Sequence, residues 1–180
     1  LAACPDMDED GVQDWMASAP RDGNHAPLAG QVVLVRSASL PTEISQTQIS
    51  GLATRWTGAN LGEMAGFALT CADDLTGDGI ADLVIGAPYA DAEDGTDASG
   101  AVYILDGANL PAQGTLRDRA WMILQPGDAN DWFGWSVATG DFDGDNAADL
   151  AVGAPGTNTA TGNVRIWKGT TLQSTSPMTA

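Results

Sequence analysis

Asp141-Phe-Asp-Gly-Asp-Asn-Ala-Ala-Asp149, running straight into Leu150-Ala-Val-Gly-Ala-Pro155, is the stretch that decides how this chain is read. The same pattern stands at Asp74-Leu-Thr-Gly-Asp-Gly-Ile-Ala-Asp82, followed by Leu83-Val-Ile-Gly-Ala-Pro88. A more altered copy is Asp6-Met-Asp-Glu-Asp-Gly-Val-Gln-Asp14, followed by Trp15-Met-Ala-Ser-Ala-Pro20. The copies start 68 and then 67 residues apart, a period that marks a repeat architecture.

Each copy continues alike. After the Ala-Pro turn comes a polar loop, then a glycine and an alternating apolar run: Gly30 to Val35, Gly100 to Leu105 and Gly162 to Trp167. Their β-branched and aromatic content predicts strands. Gly66 to Cys71 and Gly134 to Thr139, upstream of the second and third acidic loops, read the same way. A weaker fourth strand is expected around Trp56 and again over Trp121 to Leu124. No useful helical periodicity competes. The expectation is an all-β protein of about three β-propeller blades, each of four antiparallel strands. The repeats fall at 1–60 (opening strand incomplete), 61–128 and 129–180 (last strand incomplete).

The acidic loops place oxygen-bearing residues at positions 1, 3, 5 and 9, with a backbone carbonyl expected from position 7. In loop one these are Asp6, Asp8, Asp10 and Asp14, with Val12. Loop two has Asp74, Thr76, Asp78 and Asp82, with Ile80; loop three has Asp141, Asp143, Asp145 and Asp149, with Ala147. Alternate spacing lets a tight loop aim successive oxygens at one hard cation, and an all-oxygen set suits Ca²⁺ better than Mg²⁺ or Zn²⁺. Up to three Ca²⁺ are expected. Position 6 is Gly11, Gly79 and Asn146, residue types that tolerate a left-handed backbone. An EF-hand would need a bidentate Glu at position 12, where this chain has Ala17, Ile85 and Val152. Acidic turns without a metal are the plainer alternative, since Asp, Asn and Gly populate any turn; three equal spacings argue against it.

The charge fits this reading. The chain carries 24 acidic residues against 7 Lys plus Arg, for a net charge of −17. Such a field repels nucleic acid and anionic lipid, and it destabilises a compact chain unless something offsets it. Three ions of charge +2 would bring −17 to −11, and a saline habitat is the other way to balance the remainder. No stretch has the length and apolarity of a membrane span.

Phe133-Gly134 followed after the loop by Gly153-Ala154-Pro155 resembles the FG-GAP repeat of integrin α-subunit propellers and their bacterial, secreted relatives. The second unit keeps Gly66 and Gly86-Ala87-Pro88, with Ala65 in place of the Phe; the first has Ser18-Ala19-Pro20. The resemblance implies a seven-bladed propeller with Ca²⁺ in loops between the first two strands of certain blades. About three blades in this chain imply neighbouring sequence or a second chain, a homo-oligomer included, to complete the ring. Loop one, from Cys4 to Asp14, also resembles a thrombospondin type 3 repeat, another extracellular calcium motif.

The function expected is that of an extracellular or cell-surface calcium-binding module for adhesion, protein–protein interaction or structural assembly. Its partner, a protein or a glycan, would meet the loops Tyr89 to Ser99 and Arg21 to Ala29. The alternatives are a lectin-like propeller and an accessory domain of a secreted hydrolase. No catalysis is expected: His25 is the single histidine, in a polar loop, and no nucleophile with a base stands out. Of the six tryptophans, Trp135 and Trp167 are expected in the core and Trp132 at the surface. Leu1-Ala-Ala-Cys4 has the form of a lipobox, but without the charged and apolar parts of a signal it reads as the end of a strand. Cys4 and Cys71 occupy near-equivalent places in adjacent units, which leaves open a disulfide or two buried thiols.

Overall fold

A computed structural model describes residues 1–37, 53–92, 97–125, 128–156 and 161–174. The first repeat forms β1 (Ala2–Ala3), β2 (Trp15–Ala19), β3 (Gln31–Val35) and β4 (Ala53–Thr57). The second forms β5 (Ala68–Ala72), β6 (Asp82–Ala87), β7 (Ala101–Leu105), the short β8 (Gly114–Thr115), one helical turn α1 (Leu116–Arg119) and β9 (Met122–Leu124). The third forms β10 (Ser136–Gly140), β11 (Asp149–Ala154), β12 (Asn163–Trp167) and a short helix α2 (Gly169–Ser174). The fold is all-β, and each repeat is an antiparallel meander, as propeller blades are.

The first blade differs from expectation at its edge. The first sheet gains a fifth strand, because β8 pairs in parallel with Trp56 and Thr57 of β4 and so ties the second repeat to the rim of the first. The third sheet has three described strands, β10-β11-β12. Strands expected to begin at Gly66 and Gly134 begin two residues later, at Ala68 and Ser136, because both glycines adopt φ near +88° and +89°, outside the extended region.

Side chains alternate across each sheet, so the two faces of a blade meet different neighbours. From the second sheet Leu83, Ile85, Ala87, Tyr103 and Leu105 pack against Met16, Val32, Leu34 and Trp56 of the first. Its other face, with Val84, Val102, Ile104 and Met122, packs against Phe133, Leu150, Val152 and Ala154 of the third. Every residue of β6 and β7 is consequently buried.

The inner strands β1, β5 and β10 lie side by side in that order. Cys4, just after β1, and Cys71, in β5, are joined by a disulfide with Cα atoms 5.2 Å apart, which resolves the alternative left open by the sequence. The glycines that open β3 and β7 have a packing reason. A Cβ on Gly100 would lie 2.1 Å from the carbonyl oxygen of Phe133, and one on Gly30 would lie 2.2 Å from that of Ala65. Both glycines also have φ near +85° (+84° and +86°). Ala65 therefore stands where Phe133 stands one repeat later, each the seat for the preceding blade.

The tryptophan expectations hold only in part. Trp56 is the fully buried one. Trp167 is half-buried, edge-on to Phe133 with ring centroids 5.5 Å apart. Trp135 is also half-buried and stacks on Trp132 at 5.6 Å, and Trp132 is covered to the same class rather than exposed. Phe67 and Tyr89 join this pair, so loop-end aromatics pack on one another across the blade tops.

Candidate metal centres

The three acidic loops connect the first and second strands of their blades, β1–β2, β5–β6 and β10–β11. Each is wound on one hydrogen-bonding frame. The position-1 carboxylate folds back over the loop and accepts backbone N–H groups. Asp6 accepts from Asp10 and Gly11 at 3.1 and 2.6 Å, and Asp74 from Gly77, Asp78 and Gly79 at 2.6, 3.2 and 2.9 Å. Asp141 accepts from Gly144, Asp145 and Asn146 at 2.6, 3.1 and 3.0 Å. The position-5 carboxylate accepts from position 7: Val12 to Asp10 at 2.8 Å, Ile80 to Asp78 at 2.8 Å and Ala147 to Asp145 at 2.9 Å.

These contacts require sharp reversals. Position 6 is left-handed in all three loops, with φ of +87° at Gly11, +90° at Gly79 and +68° at Asn146. Position 4 is left-handed too: Glu9, Gly77 and Gly144 have φ of +60°, +86° and +82°. Asn tolerates this backbone and Glu does so at some cost, which is why glycine fills most of these places.

The position-9 carboxylates are buried and tie each loop to its blade. One oxygen accepts from the N–H of position 2: Met7 to Asp14 at 3.0 Å, Leu75 to Asp82 at 2.7 Å, Phe142 to Asp149 at 2.8 Å. The other accepts from the second residue after the third strand. Ser37 donates to Asp14 at 2.8 Å, Gly107 to Asp82 at 2.9 Å and Gly169 to Asp149 at 2.9 Å. A single Asp thus joins the loop, the second strand and the exit of the third.

The carboxylates converge to different degrees. Oxygens of Asp6, Asp8 and Asp10 all lie within 4.8 Å of one another, as do those of Asp141, Asp143 and Asp149. Loop two forms no such three-acid group among the described residues, since position 3 is Thr76. The Thr76 hydroxyl is instead buried with no hydrogen-bond partner, at the loop position an Asp takes in the other two. An orphaned buried oxygen is costly and calls for a missing partner. Together with the all-oxygen donor set, it fits a hard divalent cation such as Ca²⁺.

Protonation follows the crowding. Asp82 is pushed up to about 6 by burial, against N–H donation from Gly107, Leu75 and Thr76. Asp8 is raised by desolvation and by the Asp10 and Asp14 charges, with Arg36 opposing. At Asp6, desolvation is the largest single influence and raises the pKa, but the Gly11, Asp10, Asp8 and Glu9 amides together outweigh it and lower the pKa. Asp143 is lowered, chiefly by its hydrogen bond from Lys168, and Lys168 is raised by the same contact. Lys168 Nζ stands 2.6 Å from Asp143 Oδ2, and Arg36 Nε stands 3.7 Å from Asp8 Oδ2. Sequence reasoning overlooked these two cations and the Ser37, Gly107 and Gly169 amides. The signal was available, because Arg36, Asp106 and Lys168 each stand six residues after the glycine that opens the third strand.

A blade repeat with an acidic loop between its first two strands and a glycine-seated third strand defines the class of this chain. The FG-GAP repeat family matches residues 66–105 and 133–167, which include loops two and three. Integrin alpha-PS2 of Drosophila melanogaster is 30% identical over 165 residues, covering 84% of this chain and 11% of that protein. Human integrin alpha-E is 35% identical over 160 residues, 85% of this chain and 13% of that protein. Rat integrin alpha-7 is 34% identical over 163 residues, 88% and 12% respectively. The chain carries FG-GAP repeats and is similar to integrin α-subunits over 84% to 85% of its length. It spans only 11% to 13% of the length of these relatives.

Proposed function

We propose that this chain is a calcium-stabilised, non-catalytic propeller segment that works outside the cell in adhesion or protein assembly. The observation that carries the reading is the common frame of the three loops, which holds the same oxygen positions in place at the same end of each blade. Ca²⁺ would be held in loop one by Asp6, Asp8, Asp10 and Asp14 with the Val12 carbonyl. In loop two the set is Asp74, Thr76, Asp78 and Asp82 with Ile80, and in loop three Asp141, Asp143, Asp145 and Asp149 with Ala147. The ion supplies positive charge that offsets carboxylate repulsion and cross-links the loop. The residues do the rest: position 1 winds the loop, position 5 fixes its far side, and position 9 anchors it to two strands.

Two further features support an extracellular setting. The Cys4–Cys71 disulfide belongs to an oxidising compartment, and the relatives are integrins. Among the described residues no helix is long and apolar enough to cross a membrane. A protein partner would meet the loop surface at the end of the blades opposite the acidic loops. A further blade of the same repeat type would cover the open face of the third sheet, where Val164 and Ile166 are 69% and 62% exposed. Their equivalents Val102 and Ile104 are fully covered by the third blade.

Lectin-like binding is the second reading, and one observation favours it. Phe67, Tyr89 and Trp135 line a groove with Pro20, Arg21 and Met64, a cavity of about 770 Å³ whose aromatic faces suit stacking on a sugar. Glycan-array binding lost on Trp135→Ala would promote it over protein recognition.

The deciding measurement is bound-metal stoichiometry alongside thermal unfolding with Ca²⁺ and with a chelator. Close to three ions per chain and a large fall in Tm on chelation support the calcium reading. No retained metal and an unchanged Tm would reduce the loops to acidic turns.

A further inference from the structure

The residue that follows the third strand sits in one fixed place beside each acidic loop. It is Arg36 after β3, Asp106 after β7 and Lys168 after β12. The place is fixed because the very next amide, of Ser37, Gly107 or Gly169, donates to the position-9 carboxylate. What occupies it tracks what occupies position 3 of the loop. Where position 3 is an aspartate, as at Asp8 and Asp143, the strand-end residue is a cation. Where position 3 is the neutral Thr76, it is Asp106.

The contacts follow the same division. Lys168 Nζ lies 2.6 Å from Oδ2 of Asp143, a member of the Asp141, Asp143 and Asp149 group. Arg36 reaches Asp8 of the Asp6, Asp8 and Asp10 group at 3.7 Å. Asp106 turns away, and its two oxygens accept from the backbone and side-chain amides of Asn109, each at 3.0 Å. Lysine is used once in the chain, and it is used here.

We propose that Lys168 is a tethered counter-cation of loop three: its ammonium holds the position-3 carboxylate while no metal is bound and must release that oxygen when Ca²⁺ enters. This rests on the calcium reading above. An ammonium is a flexible point charge on a four-carbon stem, and with its side chain 62% exposed it can swing into solvent. It thereby lessens carboxylate repulsion in the empty loop and opposes the incoming ion in the filled one. Arg36, farther from its partner, does the same more weakly in loop one. Loop two needs no such group, because it carries one carboxylate fewer. The consequence is a ranking: loop three trades affinity for stability without metal.

The test is a calcium titration of wild type and Lys168→Gln, followed by the amide resonances of Gly144 in loop three and Gly79 in loop two. Both amides donate to the position-1 Asp and report their own loops. The expected result is a Gly144 midpoint shifted about two- to fivefold toward lower calcium, the range an exposed ion pair can supply. The Gly79 midpoint should stay in place, the metal-free Tm of the variant should fall, and Lys168→Arg should behave as wild type. A Gly144 midpoint that stays put or moves to higher calcium, in a variant that still titrates, overturns the counter-cation and leaves the calcium reading standing. No calcium response at Gly144 in wild type overturns both.

Discussion

β7 and β12 occupy the same place in successive repeats, yet one is buried along its whole length and the other is largely exposed. Val102 and Ile104 of β7 are sealed by Phe133, Leu150 and Val152; Val164 and Ile166 of β12 have the same alternation and stand open. β12 carries Asn163 and Arg165 where β7 has Ala101 and Tyr103, but on the compared face Val164 and Ile166 hold the same places as Val102 and Ile104. Burial here is a property of the neighbour, and a blade face is only as hydrophobic in effect as what is stacked on it. The loops below the two sheets differ in the same local way. Loop two lacks one carboxylate, and burial raises its Asp82 to about 6, whereas loop three keeps all four and sets Lys168 against them.

The largest effect is expected from chelation. A site filled at a hundred times its Kd adds about 2.7 kcal/mol, so emptying three would remove on the order of 8 kcal/mol. Hydrogen exchange would sharpen the contrast between blades: on chelation β10 to β12 should open before β5 to β7, which are packed on both faces. Equal opening would mean that the blades do not unfold as separable units.

Next comes the pair Ile104→Ala and Ile166→Ala, compared by urea unfolding. The first should cost about 2–5 kcal/mol as a core truncation and the second no more than about 0.5 kcal/mol. A large loss at Ile166 would break the comparison by showing that its face is covered in solution.

A pH series separates the two loops. With Asp82 near 6, lowering pH from 7 to 5 places protons in competition with calcium and should weaken loop two about tenfold. Loop three should weaken less, because Lys168 keeps Asp143 ionised. Without metal the sign reverses for loop two. Asp82 in the folded state has a pKa above its ordinary 3.8, so the folded state binds the extra proton between pH 4 and 6 and loses stability as pH rises through that window. Site-resolved amide titrations at both pH values check this; parallel weakening of the loops would remove the distinction between them.

The smallest effect expected is that of Thr76→Asp. It should tighten calcium at loop two by a few-fold and lower the metal-free stability by less than about 1 kcal/mol, through added repulsion near Asp74 and Asp78. Calorimetric titration and chelated melts read both. A variant that binds calcium no better would mean that the Thr76 hydroxyl already completes the site.

Much of the site was legible because it is local. Spacing and residue type in nine consecutive positions determine where a loop can turn left-handed and which side chains fall on its inner side, and Gly11, Gly79 and Asn146 do so as expected. The repeat period and the strand alternation likewise determined the all-β blade, since a period of two is written in the chain. Other features depend on residues far apart in sequence. The Cys4–Cys71 bridge needs β1 beside β5, and the fifth strand of the first sheet needs Gly114 brought to Trp56. The Lys168–Asp143 contact needs the exit of the third strand returned to the loop by Gly169. The half-buried places of Trp135 and Trp167 depend on which blades stack beside them. The sequence alone determined the repeat, the strands and the chemistry of the loops, because backbone geometry acts over a few residues. Only the tertiary structure decided which faces are covered and which charges meet, because those depend on blade stacking and strand return across dozens of residues.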